Sequence, residues 1–71
     1  MTTRREDIEA FVRGIVREVE AAEAAGIRDP DALAAHFNAK GLTTRKGRGW
    51  TGATMEKFLS SAGAQRFRNG G

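Results

Sequence analysis

The amino-acid sequence predicts a mainly α-helical fold of helix-turn-helix type, with three helices at about residues 4–25, 30–40 and 52–62. Apolar residues recur at helical spacing in each stretch, and a glycine follows each one closely. A glycine-rich segment, residues 42–50, separates the last two helices and suits a tight turn or a small β-hairpin. With 71 residues the chain has room for a single small domain around one core.

The first helix carries the longest apolar stripe. Thr3 and Glu6 fit a capping box at its start, and Gly26 suits the position just after its end. Its stripe consists of Ile8, Phe11, Val12, Ile15, Val16 and Val19. A helix over residues 4–25 is about 33 Å long, and the later helices are too short to cover the whole stripe. Either the C-terminal tail covers the remainder, or a second copy packs there and forms a homodimer through helix 1.

The second helix has a clear start and a clear end. Asp29 suits its N-cap and Pro30 its first position, while Gly41 fits its C-terminal cap. His36 lies off the apolar side, where we expect a surface residue or a contact to phosphate. Asn38, near the end, either bonds to the following loop and fixes its shape or contacts a base.

The third helix is predicted to begin after Thr51, a suitable N-cap, and to end at Gly63. Residues 64–71 form a basic tail, expected to be flexible, unless Phe67 packs it against the core. Trp50 either closes the core or stacks on a nucleobase. We place it in the core, whose predicted members are Phe11, Val12, Ile15, Leu33, Phe37, Trp50, Met55, Phe58 and Leu59.

The charges divide the chain into an acidic and a basic part. Residues 1–31 hold five arginines and eight acids, a net charge of −3. Residues 32–71 hold seven cations and one glutamate, a net charge of +6. A basic part of this kind is typical of proteins with a polyanionic partner, such as nucleic acid.

One segment, residues 33–59, resembles a known family over 27 of the 71 residues, without a gap. The residues that carry the resemblance are Leu33, Ala34, Phe37, Asn38, Gly41, Leu42, Thr44, Gly47, Trp50, Thr51, Thr54, Met55, Phe58 and Leu59. They are similar to the DNA-binding "recombinase" domain of large serine recombinases, in which a helix, a turn with Gly and Trp, and a second helix follow the catalytic domain. The family pattern continues through Asn-Pro and Tyr-Gly type sequences that residues 60–71 lack. With only 32 residues before Leu33, the resemblance implies DNA binding and not strand cleavage.

The resemblance and the charge together predict where duplex DNA binds. The third helix can enter the major groove with its outward side chains, while cations of the preceding turn contact phosphates. The residues expected to bind DNA are Arg45, Lys46, Arg48, Thr51, Ala53, Thr54, Lys57, Ser61, Arg66 and Arg68. We expect a small sequence-specific regulator or an accessory or architectural factor, of bacterial or phage origin.

The sequence gives little support to other classes of function. There is no cysteine and a single histidine, so no metal site is expected, and no nucleophile or Walker-type loop suggests an enzyme. We expect no cofactor, small-molecule ligand or membrane span, and a cytoplasmic, nucleoid-associated protein. The alternative is a protein-interaction module or small inhibitor that docks through its amphipathic helix and basic loop; RNA binding ranks third.

Overall fold

Four helices follow one another along residues 4–70, which are the part of the chain that the computed structural model describes, with side chains up to residue 68. They are α1 (Arg4–Ala24), α2 (Pro30–Ala39), α3 (Gly52–Ser60) and α4 (Ala62–Gly70). The predicted mainly α fold is confirmed, but the prediction of three helices is wrong. Residues 42–50 contain no strand, so the second of the two alternatives, a β-hairpin, does not occur there.

The extra helix arises because α3 ends earlier than predicted. Ser61 adopts an extended conformation, with φ −70° and ψ 150°, which interrupts the helical backbone. Its Oγ then accepts a hydrogen bond from the Ala64 amide at 3.3 Å, so the same residue begins α4. Gly63, the predicted terminator, lies inside α4. Residues 64–70 are therefore helical where a flexible tail was expected, and Gly71 lies outside the described residues.

The helix caps follow the sequence signals closely. After α1, Gly26 has a φ of 94° and the amide of Ile27 donates to the Ala22 carbonyl at 2.9 Å. After α2, Gly41 has a φ of 76° and the Leu42 amide donates to Phe37 at 3.0 Å. Both are Schellman caps, in which glycine adopts the left-handed conformation at least cost. The predicted capping box of Thr3 and Glu6 cannot be placed, since Thr3 lies outside the described residues.

The core sits where α1, α2 and the start of α3 meet. Its buried members form one cluster made of Ile15, Val19, Ala22, Leu33, Ala34, Phe37, Trp50 and Met55. Phe11, Phe58 and Leu59 are partly buried against this cluster. Val12 is half-buried and faces Gly63 of α4, with 3.8 Å between its Cγ1 and a Cβ built on that glycine.

Helix α4 packs along α1 and covers part of its apolar stripe. The Arg13 guanidinium lies 5.3 Å from the centre of the Phe67 ring, and Arg68 contacts Glu23 at 3.2 Å. Phe67 thus packs onto α1, which is the first of the two arrangements considered for the stripe. None of the helices within residues 4–70 combines the length and the apolar composition that a bilayer span requires.

Candidate nucleic-acid interface

The basic loop between α2 and α3 has a defined shape. The Thr44 amide donates to the Arg48 carbonyl at 2.8 Å, and the Arg48 amide donates to Thr44 Oγ1 at 3.2 Å. The turn is closed by a 2.9 Å hydrogen bond from the Gly47 amide to the Thr44 carbonyl, with Gly47 at φ 77°. Arg45, Lys46 and Arg48 are all exposed on this turn. The loop therefore presents three cations from a backbone that is already ordered.

A side-chain amide of α2 ties the end of this loop to the core. Asn38 Nδ2 donates to the Trp50 carbonyl and Asn38 Oδ1 accepts from the Trp50 amide, both at 2.8 Å. A Cβ on Gly49 would lie 3.3 Å from Asn38 Oδ1, so a glycine suits the tight approach. Both ends of the Asn38 amide are thus engaged inside the protein. Of its two predicted roles, the structure supports fixing the loop.

Trp50 anchors the same junction from the inside. Its side chain is only 5% exposed and makes edge-on contacts with Phe37 and Phe58, at centroid distances of 5.4 Å and 5.7 Å. Edge-to-face packing of this kind stabilises aromatic clusters beyond their buried area. The buried indole Nε1 has no hydrogen-bond partner among the described residues. With so little of its surface exposed, the ring belongs to the core rather than to a stacking platform for a base.

Helix α3 starts with a reciprocal cap. The Thr54 amide donates to Thr51 Oγ1 at 3.1 Å, and the Thr51 amide donates to Thr54 Oγ1 at 2.9 Å. The sequence predicted Thr51 as N-cap but missed the return bond, because a threonine replaces the usual glutamate or glutamine of a capping box. The Thr54 hydroxyl is consequently occupied, although both residues are exposed. If Thr54 contacts a base, it therefore does so through its methyl group.

The outward face of α3 is small and polar. Ala53, Thr54, Glu56 and Lys57 are exposed, whereas Met55 is buried. Gly52 at the start of α3 lies close to α2. A Cβ at this position would collide with the carboxylate of Asp31 in the first turn of α2. Ser61 is half-buried, and its hydroxyl donates to the Phe58 carbonyl at 2.6 Å.

The loop and the start of α3 enclose one concave surface. Its volume is about 480 Å³, and the residues lining it are Thr44, Arg45, Lys46, Arg48, Gly49, Thr51 and Thr54. Five predicted DNA-binding residues thus line the same depression. All of its charged lining residues are cations. We call it the basic depression.

A second, more apolar cleft adjoins it. Helices α1 and α3 make no close backbone contact, and the gap between them has a volume of about 330 Å³. Side chains of Ile8, Phe11, Val12, Trp50 and Phe58 line it, together with the cations Arg45 and Lys57. We call this gap the α1–α3 cleft.

The two predicted DNA-binding arginines of the tail lie elsewhere, on α4. Arg68 is 27% exposed and is paired with Glu23, so its charge is largely committed to α1. Arg66 is exposed and lines a hollow between α4 and the start of α1. The structure does not bring either arginine to the basic depression.

An ionic contact that the sequence did not reveal links α1 to α2. Glu18 Oε2 accepts from His36 Nε2 and from Lys40 Nζ, each at 2.9 Å. These two hydrogen bonds hold the pKa of Glu18 below its ordinary value, and the one from His36 has the larger effect. His36 is half-buried, so the expectation of a surface histidine is wrong. Residues so far apart in sequence carry no local signal for such a pair.

A family model for the recombinase-like helix-turn-helix domain matches residues 2–64. The chain belongs to this family. The resemblance predicted from residues 33–59 is confirmed and extends to α1, so the recombinase-like helix-turn-helix domain includes the long first helix as well as the α2–α3 unit. Residues 65–71, with Arg66 and Arg68, lie outside the match. The chain matches no curated protein and no solved structure.

Proposed function

We propose that this recombinase-like helix-turn-helix domain binds duplex DNA, with α3 at the major groove and the basic loop on the phosphate backbone. The observation that carries the proposal is the basic depression, in which three loop cations converge with the N-terminal turn of α3. A B-DNA major groove, about 12 Å wide, admits one α-helix. Family membership supports the proposal, since helix-turn-helix units are DNA-binding motifs.

The loop cations account for affinity. Arg45, Lys46 and Arg48 are exposed, and each phosphate that they neutralise releases counterions, which makes binding salt-dependent. The hydrogen bonds that Thr44 Oγ1 accepts from the Arg48 amide and Asn38 Oδ1 accepts from the Trp50 amide hold the loop before DNA binds. A preordered loop loses less conformational entropy on binding than a flexible one. These contacts strengthen binding to any sequence.

The exposed face of α3 accounts for sequence preference. Lys57 can donate to guanine O6 or N7, and the methyl groups of Ala53 and Thr54 can contact a thymine methyl. Glu56 can accept from cytosine N4 or disfavour a nearby phosphate. With few long polar side chains, this surface discriminates among bases modestly. We therefore propose a DNA-binding protein without catalytic activity, acting as a transcriptional regulator or an accessory or architectural factor in a bacterium or a mobile element.

Two groups of variants test the proposal. Fluorescence anisotropy with the best duplex selected from a random library, and with an unrelated duplex, gives specific and non-specific affinity. Lys57→Ala is expected to weaken the selected site by about 1–3 kcal/mol and the unrelated duplex only slightly. Replacing the three loop cations with alanine should weaken both duplexes alike. Arg28→Ala, an exposed arginine outside both surfaces, is the matched control and should change neither.

The α1–α3 cleft favours a second candidate function, a protein-interaction module. An apolar floor with two cations suits an acidic amphipathic segment better than it suits a hydrated phosphate backbone. Under this alternative, Ile8→Ser weakens binding of a partner protein identified from the host. If the loop variant keeps the DNA affinity of the parent and loses the protein partner, the interaction module replaces the DNA proposal. The same anisotropy assay with an RNA duplex shows whether the protein binds RNA or DNA with higher affinity.

A further inference from the structure

We infer that Arg4, Arg5 and Arg66 form a second phosphate-binding cluster, which contacts the other DNA backbone bordering the groove that α3 enters. This inference rests on the proposed function and extends it to residues outside the α2–α3 unit. Arg4 and Arg5 lie in the first turn of α1, and Arg66 lies in α4. All three are exposed.

The three arginines surround one surface feature. A hollow of about 500 Å³ between α1 and α4 is lined by all of them, and Ile8, Val12 and Phe67 supply its apolar part. Arginine can rest its aliphatic stem on such a surface while its guanidinium stays in water. The planar guanidinium also binds phosphate oxygens through two parallel hydrogen bonds. The hollow is thus a suitable surface for a cluster of phosphate-binding arginines.

The position of this cluster relative to α3 suggests its role. The basic loop precedes the N-terminal end of α3, whereas α4 follows its C-terminal end after the single residue Ser61. Cations therefore lie beyond both ends of a helix that is about 13 Å long. A helix that lies in a B-DNA major groove has a phosphate backbone on each of its two sides, about 12 Å apart. Cations that lie beyond the two ends of α3 can therefore reach different backbones.

The hollow also adjoins the surface already assigned to DNA. Ile8 and Val12 line both the hollow and the α1–α3 cleft, on whose other side lie Arg45 and Lys57. The apolar stripe of α1 therefore lies between the arginine cluster of the hollow and the cations of the loop and α3. They belong to neighbouring surfaces of the molecule and can meet one duplex.

Acidic neighbours do not remove the positive charge of the cluster. Glu9 is the acid that lines the hollow, and it contacts Arg5 at 3.5 Å. The Arg5 side chain is 83% exposed, and an exposed pair of this kind contributes little to stability, so a phosphate can replace the glutamate. Glu6 and Asp7 do not line the hollow.

Salt-dependent DNA binding tests the inference. The variant with Arg4, Arg5 and Arg66 replaced by alanine should lower the slope of log K against log salt by up to about 2.7, at about 0.9 per phosphate contact. The control replaces Arg17 and Arg28, two exposed arginines outside the hollow, and should keep the slope of the parent. Circular dichroism melting checks that each variant is folded, and single variants replace any triple variant that is not.

The outcomes separate this inference from the proposed function. If the cluster variant keeps the slope of the control while the loop variant loses slope, the second cluster is refuted and DNA binding by the loop stands. If neither variant changes the slope, both proposals fail. Hydroxyl-radical footprinting gives an independent readout: the parent should protect both backbones at the site, and the cluster variant should lose protection on one backbone only. Loss on neither backbone, or equal loss on both, refutes the assignment.

Discussion

Removing the Asn38 side-chain amide should have two effects: it should loosen the basic loop, and it should destabilise the domain. Asn38→Ala deletes two 2.8 Å hydrogen bonds and leaves the amide and carbonyl of Trp50 without their partner. At about 1 kcal/mol net per bond, with a further cost for partly buried groups left unpaired, the loss is about 2–3 kcal/mol. Small domains lose about 4–8 °C of melting temperature per kcal/mol, so the melting point should fall by about 10–20 °C.

Circular dichroism melting measures this shift, and Thr43→Ala, an exposed loop residue, is the matched control with an expected change below about 0.5 kcal/mol. Asn38→Asp should also destabilise, because a carboxylate can accept from the Trp50 amide but cannot donate to its carbonyl. At a temperature where Asn38→Ala is folded, DNA affinity should drop for all sequences while the salt slope stays unchanged, since no cation is removed. A melting point within about 2 °C of the parent would refute the role of the two Asn38–Trp50 hydrogen bonds.

The remaining predictions concern the core and the contacts of α1. Trp50→Ala should cost about 3–5 kcal/mol, and the parent should show blue-shifted tryptophan emission; a solvent-like emission maximum that DNA quenches would contradict burial of the ring. Glu18→Gln should destabilise the protein by up to about 1 kcal/mol at pH 7. Because the pKa of Glu18 is lowered on folding, this difference should shrink in denaturant titrations as the pH falls through and below the ordinary value of 4.5; a difference that grows instead is incompatible with the ion pair. Val16 is 2% exposed within one chain, so Val16→Glu should unfold the monomer in circular dichroism. A parent dimer in sedimentation that Val16→Glu converts into a folded monomer would instead favour self-association through α1.

Local signals predicted most of the fold. The left-handed glycines after α1 and α2, the Asp29–Pro30 start and the Thr51 cap each depend on residues within one turn of the helix end. The apolar faces of α1 and α2 also follow directly from spacing. The role of Ser61 as the start of a fourth helix was missed because Met55, Phe58, Leu59 and Ala62 continue a helical pattern across it. Its hydrogen bond from the Ala64 amide and the packing of α4 against α1 favour the break.

The candidate site was predicted in part for the same reason. The loop cations and the outward face of α3 lie close in sequence, and the structure groups them in the basic depression. Contacts over long sequence separations could not be read from spacing. Glu23 pairs with Arg68, and Glu18 pairs with Lys40. Two cations of the basic part, residues 32–71, therefore form ion pairs with acids of α1. The hollow that joins Arg4 and Arg5 to Arg66 likewise depends on how α4 packs.

The most direct test of DNA binding by the basic loop is the salt dependence of duplex affinity for the parent and for the Arg45, Lys46 and Arg48 triple alanine variant. Anisotropy titrations between 50 and 200 mM salt, about the range over which phosphate contacts change affinity strongly, give the slope of log K against log salt for each protein. The parent should bind with a steep negative slope, and the variant should lose up to about 2.7 of it, at about 0.9 per cation. A folded variant whose slope and affinity equal those of the parent would contradict the account.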